Sequence, residues 1–180
     1  MHVGIACLSE DDPSRSRELA QQLDAINRQR RDLQADMNES ALALAESAFQ
    51  GQAPKALCVF HPDFHEGVVG IVASRLKEKW HRPSFVFAAN AAEPDQLRGS
   101  GRSITGFHLR DALDLIAKRH PGLLIRFGGH AMAAGCTIAR TGLSEFAQAF
   151  ADLAHDWLAP EDLEQQLIHD GPLPAQCLGP

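Results

Sequence analysis

The chain has 180 residues, 44% of them hydrophobic and 22% charged, the balance of a folded domain and not of a disordered or fibrous chain. No run of about 18 apolar residues occurs, so no membrane-spanning helix is expected. The first residues lack the basic region and long apolar core of a signal peptide, and a cytoplasmic protein is the expectation. The net charge of −6 argues against a polyanionic partner only until its distribution is considered. Between Lys55 and Gly135 lie eleven Lys and Arg against seven Asp and Glu, with six of the nine histidines, while the remainder is strongly acidic. A local basic field is what a polyanion meets.

Asp12-Pro13 opens a long helix, because Asp caps free N–H groups and Pro suits the first helical position. Leu19, Leu23, Ile26, Leu33, Met37 and Leu44 mark its apolar seam, broken by Arg30, and Gly51 supplies the stop. The resulting rod is roughly 55 Å long and either joins two domains or packs along one. Arg28, Arg30 and Arg31 read as its solvated face.

The pattern then becomes compact α/β. Ala56–Phe60 predicts a buried strand, and Gly67–Trp80 a helix whose Val69, Val72, Ala73, Leu76 and Trp80 share one face. Arg82-Pro83 ends that helix before a strand over Ser84–Ala89. A polar turn over 90–96 leads to a glycine-broken strand over Leu97–Ile104, then a helix from about Leu109 to Arg119. Leu123–Phe127 and Gly135–Ala139 predict strands separated by a Gly-Gly-His turn. Ser144–Leu158 predicts an amphipathic helix capped by Ser144, with Glu145 in its first turn. Pro160, Pro172, Pro174 and Pro180 mark a connector.

Three segments carry candidate chemistry. In Arg98-Gly99-Ser100-Gly101-Arg102-Ser103-Ile104, alternate glycines let backbone amides approach a ligand, Ser100 and Ser103 offer hydroxyls, and Arg102 offers a planar fork. That combination suits a phosphate, which wants converging donors and a bidentate cation. The competing reading is a β-bulge or an edge strand relieved by glycine. In Gly128-Gly129-His130-Ala131-Met132-Ala133-Ala134-Gly135 the glycines permit a tight turn presenting an imidazole or amides, although a lone histidine is more often structural. In His61-Pro62-Asp63-Phe64-His65-Glu66-Gly67-Val68-Val69-Gly70 four possible metal ligands crowd one loop at a strand-to-helix junction. No distant carboxylate cluster accompanies them, so helix capping or a place beside a phosphate fits better than metal ligation. Cys7, Cys58, Cys136 and Cys177 form no C-x-x-C pair and read as reduced thiols, not a zinc site. The D-x-D or D-H-H clusters of metal-dependent phosphodiester hydrolysis, a nucleophile elbow and a Walker lysine are all missing.

Taken in order, these motifs, with Gly106-Phe107-His108, resemble the DHH-associated domain of the bacterial RecJ family of single-stranded-DNA exonucleases. Leu23-Asp24-Ala25-Ile26-Asn27 with Arg30-Arg31 resembles that family's connecting helix. His169-Asp170-Gly171-Pro172-Leu173 resembles the entry to its oligonucleotide-binding barrel. The resemblance implies an α/β fold, a mixed β-sheet flanked by helices, preceded by a long connecting α-helix. It implies a helical linker over 1–53, a substrate-binding domain over 54–158 and a connector over 159–180. It also implies that Ser100 and Arg102, with Gly101 and Ser103, hold a 5′ phosphate, and that Gly128, Gly129 and His130 face the cleft and the DNA backbone. His65 and Arg98 are weaker candidates. Mn²⁺ or Mg²⁺ would serve the parent enzyme from a domain this chain does not contain, leaving the chain itself metal-free and inactive. Single-stranded DNA is the implied partner, together with a single-stranded-DNA-binding protein and a recombination helicase, in repair and recombination. The alternatives are a DHH-family phosphodiesterase of short RNAs or cyclic dinucleotides, and a stand-alone nucleic-acid-binding module.

Overall fold

A computed structural model describes residues 2–48, 54–166 and 171. The Gly51 stop, the boundary at 53, and the connector beyond 166 apart from Gly171 lie outside the described residues. Helix α1 (His2–Ser9) folds back along the start of helix α2 (Pro13–Ala48), where the Cys7 thiol approaches the Ser16 carbonyl at 3.9 Å. Asp12 caps α2 as expected: its Oδ1 accepts from the amides of Ser14 at 2.8 Å and Arg15 at 2.9 Å.

The predicted seam of α2 is not continuous. Leu19 is buried at one end and Met37, Ala41 and Ala45 at the other, but residues 24–32 are exposed and Ile26 keeps 48% of its surface. Each end of the rod has its own partner, α1 at the start and the sheet layer at the finish. The middle satisfies itself through local pairs such as Arg28 with Asp24.

Five strands follow: β1 (Leu57–Phe60), β2 (Ser84–Ala89), β3 (Gln96–Arg102), β4 (Leu124–Gly129) and β5 (Ala133–Ala139). Their spatial order is β1-β2-β3-β5-β4, with β1 parallel to β2 and the other pairs antiparallel. The parallel pair needs a crossover, supplied by helix α3 (Val69–Trp80). Asn90 turns the chain from β2 to β3, its Oδ1 accepting the Ala92 amide at 3.1 Å.

Helices α4 (Leu109–Arg119) and α5 (Leu143–Trp157) cover one face of the sheet. There Phe85 meets Phe146 at 5.2 Å and 77° and Phe150 at 5.2 Å and 89°, edge-to-face geometries that add to area burial. On the other face Leu57, Val59, Val86 and Ala88 pack against Val69, Val72, Ala73 and Leu76 of α3 and against the end of α2. This second layer lies over β1, β2 and β3, and a groove opens beside it along β5 and β4. The result is the expected mixed sheet between helices behind a long helix.

Two local expectations change. Ser144 sits inside α5, whose N-cap is Gly142 with no side-chain cap; Glu145 does lie in the first turn, where it meets His120 at 2.7 Å. Gly128 and Gly129 belong to β4, so the turn is His130-Ala131-Met132.

Candidate nucleic-acid interface

Strand β3 is the central strand of the sheet, and its two faces carry different duties. Leu97, Gly99 and Gly101 point into the aromatic core; Arg98, Ser100 and Arg102 point toward α3 and the groove. The strand is neither an edge nor bulged, since the one register shift of the sheet lies in β4, between Leu124 and Arg126. Its glycines answer the core. A Cβ on Gly101 would stand 2.5 Å from Cε2 of Phe85, and one on Gly99 would enter the Phe87 ring. The idea that Gly101 lets a ligand approach is therefore replaced: it makes room for an aromatic ring directly across the strand pair.

Arg102 lies under the first turn of α3. Its Nη1 donates to Ser100 Oγ at 3.1 Å and to the Gly101 carbonyl at 2.8 Å, which fixes the guanidinium beside the hydroxyl. Gly70 makes this possible, because a Cβ there would fall 2.9 Å from Arg102 Nη2 and 3.1 Å from Ser100 Oγ. No side chain caps the start of α3, whose first turn meets this guanidinium and hydroxyl at Gly70. A fixed Arg fork, a hydroxyl and an uncapped helix start are the donors an oxyanion takes.

Ser103 is not among them. It is 1% exposed, and its Oγ donates to the Phe107 carbonyl at 2.6 Å, so its hydroxyl serves the fold. Its amide donates to the Met132 carbonyl at 3.0 Å, and Leu109 donates to the Ala131 carbonyl at 2.9 Å. These two bonds pin the hairpin turn that carries His130 beside the end of β3, where Arg102 pairs with Ala133. His130 itself is exposed, with its amide on the Ala133 carbonyl at 2.8 Å. Gly129 sits at φ 140°, and a Cβ there would stand 2.5 Å from the Ala133 carbonyl, so this position excludes any side chain. Gly128 opens onto free space and lines the groove.

The loop before α3 is occupied with its own backbone. His65 Nδ1 accepts the Gly67 amide at 3.0 Å, His61 Nδ1 the Asp63 amide at 3.3 Å, and Glu66 pairs with Arg98 at 3.1 Å. Those commitments do not fit a metal, and among the described residues no group of three or more His, Cys, Asp or Glu gathers. Beneath the groove, burial and the neighbouring Cys58 push the Cys136 thiol well above the ordinary cysteine range.

The groove is about 450 Å³. Strand register, not motif, brings Arg126 and Thr137 into its wall: Arg98 pairs with Thr137, and Thr137 pairs with Arg126 across the next ladder. Nothing in the local sequence around either residue signals this.

The family model for the DHHA1 domain matches residues 53–159. The chain belongs to the DHHA1 family. Its relatives include the single-stranded-DNA-specific exonucleases RecJ of Dickeya dadantii, 47% identical over 175 residues, and of Escherichia coli, 44% identical over 175 residues. Each comparison spans 96% of this chain and 30% of the relative, so the chain covers about 30% of the length of these curated relatives. Among solved structures, RecJ of Thermus thermophilus in complex with Mg²⁺ superposes with a TM-score of 0.74 at 28% identity, over 87% of this chain and 23% of that one. A crystal structure of exonuclease RecJ bound to manganese gives 0.74 at 29% identity, over 89% of this chain and 37% of that one. The DHHA1 match contains both the β3 cradle and the His130 hairpin. No helix among the described residues is long and apolar enough to cross a membrane.

Proposed function

We propose that this chain is the strand-gripping portion of a RecJ-like, single-stranded-DNA-specific 5′→3′ exonuclease of DNA repair and recombination. The observation that carries the reading is the placement of Arg102 and Ser100, hydrogen-bonded together under the first turn of α3. These donors hold the 5′ phosphate of a single strand, and Gly128, Gly129 and His130 line the path of its backbone. Holding the end fixes where the next phosphodiester lies, so positioning is the contribution of this chain. A divalent ion such as Mn²⁺ or Mg²⁺ would be held outside it and would supply an activated water there; the His61–Glu66 loop, with both imidazoles accepting backbone amides, is a poor fit for one. The parent enzyme is cytoplasmic and meets its strands alongside a single-stranded-DNA-binding protein and a recombination helicase.

The test is Arg102→Ala in the intact enzyme, with Arg102→Lys beside it. Loss of a charge-assisted, forked contact of about 3 kcal/mol corresponds to roughly a hundredfold lower kcat/KM on a 5′-phosphorylated strand. A 5′-hydroxyl strand loses much less, and Mn²⁺ affinity measured by calorimetry stays at the wild-type value. Equal losses on both strands, or weakened Mn²⁺ binding, would refute the assignment. A dinucleotide hydrolysed as readily as a long strand would point instead to a phosphodiesterase of short nucleotides.

A further inference from the structure

The register of β3, β5 and β4 lays this face of the sheet out in three cross-strand rows. Nearest the hairpin turn are Arg102 and Ala133, with the His130 amide bonded to the Ala133 carbonyl. Ser100, Gly135 and Gly128 form the middle row, and Arg98, Thr137 and Arg126 the far one. A 5′ phosphate held at Ser100 and Arg102 sends its strand out past the turn at His130. The far row therefore lies behind the strand's end. What a strand places there is whatever is bonded to the outer side of its terminal phosphate.

The groove is open in that direction. A Cβ on Gly128 would meet nothing, and one on Gly135 only the Gly99 carbonyl, at 3.3 Å, so the floor between the middle and far rows is almost bare. Two residues along a strand span about 6.6 Å, a gap that the anhydride links of a triphosphate bridge. The far row then supplies donors. Arg98 and Arg126 flank Thr137 across the ladders, and all three line the groove of about 450 Å³. Arg98 is partly neutralised by Glu66 at 3.1 Å. Arg126 is exposed, and its guanidinium makes no hydrogen bond or ion pair among the described residues, so the row keeps a net positive charge on its β4 side. Two guanidinium groups about a hydroxyl suit phosphoryl oxygens, and a monophosphate seated at Ser100 leaves them unused.

We infer that Arg98, Thr137 and Arg126 form a polyphosphate subsite, which takes the outer phosphates of a strand bearing a 5′ diphosphate or triphosphate. Arg126 is its principal contact. The inference rests on the proposed strand-gripping function and extends the ends it accepts from 5′ monophosphates to 5′ polyphosphates.

The experiment measures binding to the intact enzyme in EDTA, without cleavage, of one short DNA strand prepared with a 5′ monophosphate or a 5′ triphosphate. The triphosphate form binds about tenfold more tightly, the lower end for a contact to a charged group, because the groove is open to water. Arg126→Gln removes that advantage and leaves the monophosphate form unchanged. It also lowers the slope of log affinity against log salt for the triphosphate form by about 0.7, the value for one lost phosphate contact on a single strand. Arg126→Lys keeps most of the slope, and Thr137→Val weakens only the triphosphate form, by about threefold. A free nucleoside triphosphate binds more weakly than the triphosphate strand; equal binding would assign the row to a free nucleotide and overturn the strand-end assignment. A triphosphate strand bound no better than the monophosphate one, or an Arg126→Gln loss shared equally by both, overturns the subsite. Arg102→Ala weakens both strands by the same factor, and its failure to do so overturns the cradle, whatever Arg126 does. Thermal unfolding of each variant, expected within about 2 °C of wild type for a surface change, separates lost binding from lost fold.

Discussion

Gly101→Ala isolates the role of the β3 glycines. An added methyl would stand 2.5 Å from Phe85 Cε2 and 2.6 Å from its Cζ, about 1 Å inside ordinary contact. Phe85 is fully buried and cannot retreat, being held by Phe146, by Phe150 and by Phe87 at 5.7 Å. Overpacking of this kind costs about 1–3 kcal/mol. Replacing glycine within a strand returns about 0.5–1 kcal/mol of backbone entropy. The net loss is about 1.5 kcal/mol, a fall in Tm of about 3–6 °C for a chain of this size, measured by thermal and urea unfolding. Phe85→Leu, costing about 1 kcal/mol alone, relieves the collision, so the double variant is more stable than the sum of the two changes by about 1 kcal/mol. Unchanged stability combined with lost affinity for a 5′-phosphorylated strand would refute this reasoning and return the glycine to the ligand.

Gly129→Ala meets both a positive φ and the Ala133 carbonyl; it lowers stability by at least about 2 kcal/mol in urea melts and weakens strand binding by displacing the His130 turn. Ser103→Ala strips the Phe107 carbonyl of its buried donor and costs about 1–3 kcal/mol in the same assay, while leaving affinity for the phosphorylated strand near wild type. Desolvation pushes the Cys58 thiol up to about 12 and holds Cys136 well above its ordinary value, so at about pH 8 both resist iodoacetamide in the folded chain. Mass spectrometry of the alkylated protein reads this directly, and denaturant restores their reactivity.

The sequence made the fold legible where one period dominated. The Leu109–Arg119 helix and the Ser84–Ala89 strand have the bounds their patterns announce, because one buried face runs the length of the helix and the strand is an apolar run buried on both faces. The rod shows the opposite case. Its heptad-like steps continue through Ile26, but burial needs a partner, and sequence periodicity says nothing of where partners stop. In the cradle, the cation and hydroxyl of Arg102 and Ser100 were readable as chemistry. The parity of the strand was not, and parity sends Gly101 inward. Ser103 deceived for a related reason: it follows β3 into a turn, where its hydroxyl is claimed four residues later by Phe107. Arg126 and Thr137 were invisible because register across three strands and a bulge places them, and neither leaves a local mark.

The alternation of β3 also explains why a groove exists at all. Large rings at Phe85 and Phe87 demand glycines opposite them, and those glycines lock β3 against the α4–α5 layer. With that face filled, the other is free to be polar, and α3 covers it only as far as β3 because Gly70 lets the helix settle onto Arg102. Beyond the helix, β5 and β4 contribute Ala133, Gly135 and Gly128, too small to form a core and so unable to recruit another helix. A sheet face that is neither buried nor crowded, bounded by a helix start on one side and guanidinium groups along its length, is shaped to receive an extended anionic chain. The same small residues that leave it empty fix the width of what can enter, so enlarging Gly135 narrows the track without touching any charge. Gly135→Val therefore lowers strand affinity without changing the salt slope that the arginines set.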